Sequence, residues 1–485
     1  MNNAVTIRRL KTGIPGFDHL LGGGLSEFSF NLIAGEPGSG KTTLAHQIMF
    51  SLAKPDCRAL FFTVLGEPAL KMLRYQQQFS FFDTDKINSS IRFINLADDL
   101  LKGDYDNVLA RIVQEVRDYG PRLVFVDSFR SIVEAKKGKN EGGSDLQLFV
   151  QNLGQQMTSW QATTFLIGEY SLSDAQSNPI FTVADGVLWM SQKLLRNSIV
   201  RKIQVIKMRG QPHVPGLHTF RINLDGIAVF PRAVQPADKV DSATSPFIPA
   251  DQRLSMGVPI LDDMMGGGLP AGYALLLVGP SGSGKTILAT EFLAEGVRNG
   301  EPGIIAAFEK SPNQLLSRKL YDLVKTGQIT LVDTRTLDLS IDETLYELTS
   351  KIEKLKAKRV VIDSLSGFEL ALAPEFREDF RESLYRMIAV LTSMGVTIVM
   401  TAELEDRYTD LRFSSYGNAF LADAVILQRY AEVEGRFNRV ISVVKVRGSA
   451  HSKDIRLYDI DGEAIRIDKA PFSYAGILSG RPTRL

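Results

Sequence analysis

The sequence lacks the features of a disulfide-bonded or membrane-spanning protein. Cys57 is the only cysteine among 485 residues, which excludes an intrachain disulfide and favours a reducing compartment. No uninterrupted apolar run reaches the roughly 18–20 residues that a transmembrane helix needs. The first ten residues also lack the apolar core of a signal peptide. We therefore expect a cytoplasmic protein that does not act at a membrane.

An excess of either charge is also missing. Lysine and arginine number 56 against 55 aspartates and glutamates, so no overall field attracts the chain to nucleic acid. The apolar fraction of 44% and the charged fraction of 23% are ordinary for a globular protein. The length exceeds what one hydrophobic core usually organises, and it predicts two or three domains.

A nucleotide-binding motif occurs twice. The phosphate-loop pattern GxxxxGK[ST] stands at 35–42 and again at 279–286, each time between an apolar run and a helical pattern. Its glycines let backbone N–H groups turn toward phosphate oxygens, its lysine neutralises their charge, and the following hydroxyl ligates Mg²⁺. The motif predicts ATP or GTP with Mg²⁺; no guanine-reading Asn-Lys-x-Asp string is present, although this does not exclude GTP. The expected nucleotide contacts are Gly38, Ser39, Gly40, Lys41, Thr42 and Thr43, and Gly282, Ser283, Gly284, Lys285, Thr286 and Ile287.

The repeat extends beyond the phosphate loops. Residues 13–18 resemble 257–262, and the Gly-Gly-Gly-Leu string at 22–25 recurs at 266–269. This spacing predicts a tandem duplication of one domain. Between the copies, a polar segment that contains several prolines predicts a linker. We place lobe 1 at 1–232, the linker at 233–252, lobe 2 at 253–470 and a tail at 471–485.

Short apolar runs alternate with helical patterns in each lobe. This alternation predicts an α/β fold, with a mostly parallel sheet flanked by helices and a ligand at the carboxyl ends of the strands. The segments 341–354 and 375–392 are predicted helices, and 440–446 and 455–467 are predicted edge strands. In lobe 2 the apolar runs lie at 274–278, 304–308, 329–332, 359–362, 396–401 and 424–428.

Carboxylates at the ends of apolar runs supply the candidate metal and catalytic groups. Asp127 and Asp363 each end such a run, as expected of a residue that orients Mg²⁺; the alternative is an ordinary strand-capping aspartate. Glu309 follows the strand after the second phosphate-loop helix, and it is our candidate base and a further metal contact. Leu65 stands at the equivalent position of lobe 1. We therefore expect lobe 2 to be catalytic and lobe 1 to hydrolyse nucleotide slowly, unless Glu67 takes the role of the base.

A Lys-x-Arg-Gly-x-x-His segment follows a late strand of each lobe. Strand alternation puts the lysine and the arginine on one side of the backbone, where they could stabilise charge on a γ-phosphate. The alternative is a basic strand tip that contacts solvent or nucleic acid. Cations supplied by a neighbouring subunit would imply a ring with its sites at the interfaces. The expected contacts are Lys207, Met208, Arg209 and His213 in lobe 1, and Lys445, Val446, Arg447, Ser449 and His451 in lobe 2, with Lys285, Lys445 and Arg447 catalytic.

Taken together, the two phosphate loops, the glycine-rich strings before them and the Lys-x-Arg-Gly-x-x-His segments resemble the KaiC family. The resemblance covers about residues 5–470. It implies two tandem RecA-like domains, a double-ringed homohexamer with ATP and Mg²⁺ at the subunit interfaces, and regulators resembling KaiB and KaiA. It also implies that Lys207, Arg209, Lys445 and Arg447 act in trans, and that lobe 2 phosphorylates its own serine or threonine residues.

Two departures from the family pattern affect function. The family carries a Glu-Glu pair after the second strand of each lobe, whereas this chain has Leu65-Gly66 and Glu309-Lys310. The family's Ser-Thr phosphorylation pair falls on Ala419 and Phe420, which have no hydroxyl. Ser414 and Ser415 remain as candidate phosphoacceptors; they could equally be ordinary polar loop residues.

Three functions follow from these patterns. The first is a KaiC-like ATPase and serine/threonine autokinase that acts as a timing or signalling switch. The second is a RecA- or DnaB-like motor on single-stranded DNA, which the balanced charge disfavours. The third is a hexameric scaffold that ATP holds together and in which hydrolysis is incidental.

Overall fold

The chain forms two compact units, Met1–Arg232 and Ala233–Leu485, which contain lobe 1 and lobe 2. The predicted linker at 233–252 lies almost wholly outside the residues that the structure describes. This computed structural model describes residues 7–64, 69–101, 105–130, 143–171, 173–174, 178–195, 198–232, 251–308, 318–332, 339–404, 421–433, 435–462, 464–472, 474–475 and 483–484.

Lobe 1 alternates strands and helices and ends in antiparallel strands. Its strands are β1 (Arg9–Leu10), β2 (Leu25–Ser26), β3 (Phe30–Gly35), β4 (Ala59–Thr63), β5 (Ile91–Asn95), β6 (Leu123–Asp127), β7 (Thr163–Glu169), β8 (Gly186–Leu195), β9 (Ser198–Met208), β10 (Leu217–Asn223) and β11 (Gly226–Phe230). Its described α-helices are α1 (Phe17–Leu20), α2 (Lys41–Leu52), α3 (Ala69–Gln76), α4 (Ala97–Leu101), α5 (Tyr105–Tyr119), α6 (Gly143–Ser159) and α7 (Pro179–Val183).

Lobe 2 repeats this plan. Its strands are β12 (Arg253–Leu254), β13 (Leu269–Pro270), β14 (Ala274–Gly279), β15 (Gly303–Ala307), β16 (Ile329–Val332), β17 (Arg359–Asp363), β18 (Thr397–Glu403), β19 (Ala424–Val433), β20 (Arg436–Val446), β21 (Ile455–Asp461) and β22 (Ala464–Ile467), with the pair β23 (Tyr474–Ala475) and β24 (Thr483–Arg484) nearer the end of the chain. Its described α-helices are α8 (Pro259–Met264), α9 (Lys285–Arg298), α10 (Arg318–Lys325), α11 (Ile341–Leu355), α12 (Leu365–Ala371), α13 (Pro374–Arg377) and α14 (Phe380–Ser393).

Nine of the described strands in each lobe form one sheet with the same order of strands, while the pairs β1-β2, β12-β13 and β23-β24 form separate two-stranded sheets. The order is β5-β4-β6-β7-β3-β8-β9-β10-β11 in lobe 1 and β16-β15-β17-β18-β14-β19-β20-β21-β22 in lobe 2. The first six strands of each order run parallel, and the last three add an antiparallel edge. The predicted α/β class, with two RecA-like domains and mostly parallel sheets, is therefore confirmed. The predicted edge strands of lobe 2 are also present.

Each sheet is buried between two apolar layers because its strands alternate large side chains on both faces. In lobe 1, Leu44 and Ile48 of α2 pack on the face that carries Phe125, Phe165 and Ile167. In lobe 2, the residues of α9 pack in the same way on the face that carries Val361 and Val399. The opposite faces are covered by α5 and α6 in lobe 1 and by α11 and α14 in lobe 2. The strand ends therefore form the remaining polar edges of each sheet.

Two sequence predictions about helices have different outcomes. The predicted helix at 341–354 is α11, which begins at Ile341 with Ser340 as its cap. The predicted helix at 375–392 is two helices instead, because the first, α13, ends at Arg377 and the second, α14, begins only at Phe380. Among the described helices, none is both long enough and apolar enough to cross a membrane.

Candidate nucleotide-binding sites

The phosphate loops have a backbone shape that strongly favours glycine. Gly38 and Gly40 adopt φ angles of 71° and 98°, and Gly282 and Gly284 adopt 76° and 92°. These angles lie in the left-handed region that other residues rarely enter. A Cβ atom on Gly40 would also approach Ile222 to 2.7 Å. The sequence folds here into a concave loop that leads directly from β3 into α2, and in lobe 2 from β14 into α9.

Each loop lysine turns back over its own loop. The Lys41 Nζ donates a hydrogen bond of 2.6 Å to the Glu36 carbonyl, and the Lys285 Nζ donates 2.8 Å bonds to the carbonyls of Gly279 and Pro280. Burial lowers the pKa of Lys41, an effect that the negative charges of Glu169, Asp127 and Glu36 oppose. A bound polyphosphate would supply further negative charge and favour the protonated lysine.

Thr42 and Asp127 form the candidate metal site of lobe 1. The Thr42 hydroxyl donates a 2.7 Å hydrogen bond to Asp127 Oδ2. Burial raises the pKa of Asp127 to about 6; the Thr42 hydrogen bond and the Lys41 charge lower it, and the Glu169 charge raises it further. A hydroxyl after the loop lysine and an aspartate at a strand end are the protein groups that hold Mg²⁺ in phosphate-loop enzymes. The two predicted residues are thus adjacent, and their chemistry fits this ion.

The corresponding residues of lobe 2 line one cavity of about 280 Å³. Asp363 accepts a hydrogen bond from the Thr401 hydroxyl on the neighbouring strand. The cavity is lined by Ser281, Gly282, Gly284, Lys285, Thr286, Ile287, Asp363, Ser364, Glu403 and Ile460. It therefore joins the phosphate loop to the end of the aspartate strand.

The described residues contain no group of three or more histidine, cysteine, aspartate or glutamate side chains that could hold a metal by themselves. Thr42 and Asp127 offer two protein oxygens, and Mg²⁺ usually takes one or two protein oxygens and completes its shell with substrate phosphates and water.

The Lys-x-Arg segments lie at the opposite end of the parallel strands from the phosphate loop of the same lobe. In lobe 1, Met208 pairs with Gly186, which pairs with Asn31 near the start of β3, whereas the loop follows the end of β3. The four residue steps from Asn31 to Gly35 span roughly 13 Å of strand. In lobe 2, Val446 pairs with Ala424 at the start of β19, and β14 runs parallel to that strand. The cations are thus remote from their own phosphate loop.

In lobe 1 the lysine and the arginine lie on one side of the strand, as alternation predicts. The Lys207 Nζ donates a 2.9 Å hydrogen bond to the Thr182 carbonyl, and the Arg209 Nη2 contacts the same oxygen at 3.2 Å. Burial lowers the pKa of Lys207, as does the nearby Arg209 charge, while Asp185 raises it. In lobe 2 the Lys445 Nζ donates a 2.6 Å bond to the Ala422 carbonyl.

One aspartate anchors each of these arginines. Asp185 Oδ1 accepts a 3.1 Å bond from Arg209, and its Oδ2 accepts a 3.0 Å bond from the N–H of Phe30, the first residue of β3. Asp423 repeats both contacts with Arg447 at 3.3 Å and with the N–H of Ala274 at 3.1 Å. The repeat links each arginine to the strand that leads to the phosphate loop.

The other predicted contacts divide into core and loop residues. Met208 and Val446 pack into the hydrophobic cores, so only their backbones could contact a nucleotide. Ile287 is half-buried against the core of lobe 2, while Thr43, His213 and His451 are half-buried. The Ser449 hydroxyl accepts a 2.6 Å bond from Arg253. Ser39 and Ser283 are fully buried beneath their loops, where they bond to the Glu36 carbonyl and to Gln428.

Several predicted site residues lie outside the described residues. These are the candidate base Glu309, the alternative base Glu67 with its neighbours Leu65 and Gly66, and the candidate phosphoacceptors Ser414 and Ser415. Their assignments stay sequence predictions.

The sequence analysis missed a repeated carboxylate in these sites. Glu169 and Glu403 end β7 and β18, the strands that lie between the phosphate-loop strand and the aspartate strand. Each pairs with the glycine that opens the loop, Gly35 or Gly279. The signal available in the sequence was an acidic residue directly after an apolar run in both copies.

Comparison with known proteins agrees with this architecture. The family model of KaiC ATPases matches residues 10–234 and again residues 254–471. The chain is similar to circadian clock protein KaiC3 of Synechocystis sp. (strain ATCC 27184 / PCC 6803 / Kazusa), with 29% identity over 98% of this chain and 95% of the relative. It is also similar to the circadian clock oscillator protein KaiC of Rippkaea orientalis (strain PCC 8801 / RF-1), with 28% identity over 100% of this chain and 93% of the relative. The chain therefore belongs to the KaiC family of ATPases, whose nucleotide-binding domain it carries twice.

Proposed function

We propose that the protein binds Mg-ATP at both phosphate loops, hydrolyses it mainly in lobe 2 and acts as a timing or signalling switch. The observation that carries this proposal is the repeated set of loop lysine, loop threonine and strand-end aspartate, adjacent in each lobe. A nucleotide bound there would place its phosphates against the loop N–H groups and its Mg²⁺ between the threonine and the aspartate. The names of the relatives, which are clock proteins, support the switch role.

The two lobes are proposed to differ in rate. Glu309 would accept a proton from the attacking water in lobe 2, whereas the matching position of lobe 1 is Leu65. Slow turnover in lobe 1 would make its nucleotide a long-lived structural ligand.

The Lys-x-Arg cations are proposed to act on the nucleotide of a neighbouring copy. Two observations support this proposal. The cations lie at the end of the strands that is remote from their own phosphate loop, and the guanidinium groups of Arg209 and Arg447 are exposed. Such a contact would stabilise charge that develops on the γ-phosphate. Head-to-tail contacts of this type form a ring when the rotation between copies closes, and we propose the double-ringed homohexamer of the family, with regulators resembling KaiB and KaiA as partners.

Mg-ATP labelled at the γ position tests the enzymatic part of the proposal. Release of labelled phosphate identifies a hydrolase, label retained on the protein identifies an autokinase, and neither identifies an inert binder or scaffold. Retained label should map to Ser414 or Ser415 if those residues are the acceptors. Lys285→Ala should remove most of the phosphate release, and Glu309→Gln should reduce it about 100-fold.

A surface variant provides the control for this experiment. Glu347 forms a half-exposed ion pair with Lys351 on α11, and Glu347→Gln should leave the rate unchanged. Phosphate release that survives Glu309→Gln at the wild-type rate would show that another group is the base of lobe 2.

A further inference from the structure

Glu169 occupies a distinctive position in lobe 1. It ends β7, which pairs on one side with β3 and on the other with β6. Asp127 pairs with Ile167, so Glu169 lies two residues beyond the candidate metal ligand, toward the edge that carries the phosphate loop. Two strand residues correspond to roughly 7 Å. The backbone is fixed there, because the Glu169 carbonyl accepts a 2.5 Å bond from Arg130.

The carboxylate of Glu169 faces the nucleotide side of the sheet. Phe165 and Ile167 of the same strand pack against α2, the helix that begins with the loop lysine. Strand alternation gives Glu169 the same direction as these two residues. The Glu169 charge raises the pKa of both Lys41 and Asp127, in keeping with its place at the end of β7 next to Gly35.

Lobe 2 repeats this arrangement. Glu403 ends β18 and pairs with Gly279, and it lines the cavity together with Lys285, Thr286 and Asp363. The same residue type at the same strand end in both copies argues against a chance surface carboxylate. The lobes differ at the position of the candidate base after the second strand, since lobe 2 has Glu309 where lobe 1 has Leu65.

We propose that Glu169 is the catalytic carboxylate of lobe 1, a role that rests on the proposed ATP hydrolysis. The water oxygen forms a bond to the γ-phosphorus while the bond from that phosphorus to the β–γ bridging oxygen breaks, and its electron pair leaves with ADP. Glu169 accepts the proton that the water releases and returns it to solvent. Glu169 would thus support the slow hydrolysis proposed for lobe 1, which has no acidic residue at position 65.

The test measures lobe 1 in the full chain. Lys285→Ala removes the loop lysine of lobe 2, and single-turnover hydrolysis of γ-labelled ATP then reports lobe 1. Adding Glu169→Gln should slow this turnover at least tenfold, in line with the loss of a general base. The affinity for a non-hydrolysable ATP analogue should change less than twofold, because glutamine keeps the size of the side chain.

A chemical rescue separates catalysis from structure. Glu169→Ala should be equally slow, and formate should restore its rate at least threefold by supplying a carboxylate in the vacated space. Glu115→Gln is the control, because Glu115 forms an ion pair with Arg111 one turn away on α5 and lies outside the proposed site. A Glu169→Gln protein that keeps more than one third of the rate would overturn the assignment, as would an Ala variant that formate does not restore.

Failure of this inference is distinguishable from failure of the proposed function. If the Lys285→Ala protein hydrolyses no more ATP than the Lys41→Ala, Lys285→Ala protein, lobe 1 has no activity and the role of Glu169 is refuted. ATP hydrolysis by the Lys41→Ala protein then measures the activity of lobe 2 alone. Its turnover shows whether the chain is an ATPase independently of Glu169.

Discussion

At the scale of single residues, Asp127 has opposing effects on stability and metal binding. Its side chain is buried, and burial raises its pKa to about 6. The native state then holds the proton more tightly than the unfolded chain, so the stability of ligand-free lobe 1 falls as pH rises from about 4 to about 6. Mg²⁺ favours the ionised form and would offset this loss.

Asp127→Asn should therefore stabilise ligand-free lobe 1 at neutral pH and abolish its further stabilisation by Mg-ATP. The pKa difference corresponds to at most about 3 kcal/mol in the free energy of unfolding. Both tryptophans, Trp160 and Trp189, belong to lobe 1, so the melting of this lobe can be followed by their fluorescence in the full chain. The gain over wild type should grow between about pH 4 and pH 6 and then level off. A variant that melts below wild type at neutral pH would contradict this account.

Buried His46 also contributes to the pH dependence of the stability of lobe 1. Burial lowers its pKa to about 4, so the unfolded chain binds this proton more tightly and stability rises with pH from about 4 to about 6.5. In the wild-type chain the two groups offset each other across this range. Asp127→Asn should leave the rise due to His46 visible.

The sequence predicted the loop residues because their spacing is a property of the motif, and it predicted their partner aspartates because each of them ends an apolar run. Thr42 and Asp127 are adjacent in the structure, as a phosphate-loop site requires. Glu169 and Glu403 could not be found in this way. Their place in the site depends on which strand lies between β3 and β6, and strand order is set by packing across the sheet rather than by local pattern.

At the scale of elements, the strand that carries each phosphate loop is tied at its other end to a cation. In lobe 2, Asp423 joins the first N–H of β14 to the guanidinium of Arg447. The six residues of β14 thus connect the Arg447 contact at the start of the strand to the phosphate loop at its end. This connection was not predicted from the sequence, because Ala274 and Asp423 lie 149 positions apart in the chain.

Asp423→Asn should lower the turnover of lobe 2 about tenfold and change its KM less than twofold. Asparagine keeps a carbonyl for the β14 N–H but loses the charge that orients Arg447. Steady-state kinetics in the Lys41→Ala background provide the measurement. Glu432→Gln is the control, because Glu432 is an exposed residue of β19, the strand that follows Asp423. A large rise in KM with unchanged turnover would assign Asp423 to nucleotide binding instead.

At the scale of the molecule, duplication explains why both sheets have the same strand order. The repeated landmarks allowed two domains of one fold to be predicted, because an insertion in a loop leaves the hydrophobic pattern of the strands intact. The contacts of one copy with another follow no such local pattern and had to be inferred from the family resemblance and from the remote position of the cations.

Replacing Lys41 and Lys285 together by alanine should abolish nucleotide retention and ring assembly, because each proposed interface is built around a bound nucleotide. Light scattering after gel filtration, with chromatography of extracted nucleotide, gives both quantities. Lys193→Ala with Lys354→Ala removes two exposed lysines and should change neither. A Lys41→Ala, Lys285→Ala protein that still forms nucleotide-loaded rings would refute the proposed assembly.

The length of the strands has a kinetic consequence. With the phosphate loop at one end of the strands and the cations at the other, each lobe of a solitary chain would hold parts of two different proposed reaction centres and no complete one. The ATPase activity per chain would then fall on dilution, and it would recover when the protein is concentrated again. The rate of hydrolysis per chain would therefore depend on the concentration of the protein itself.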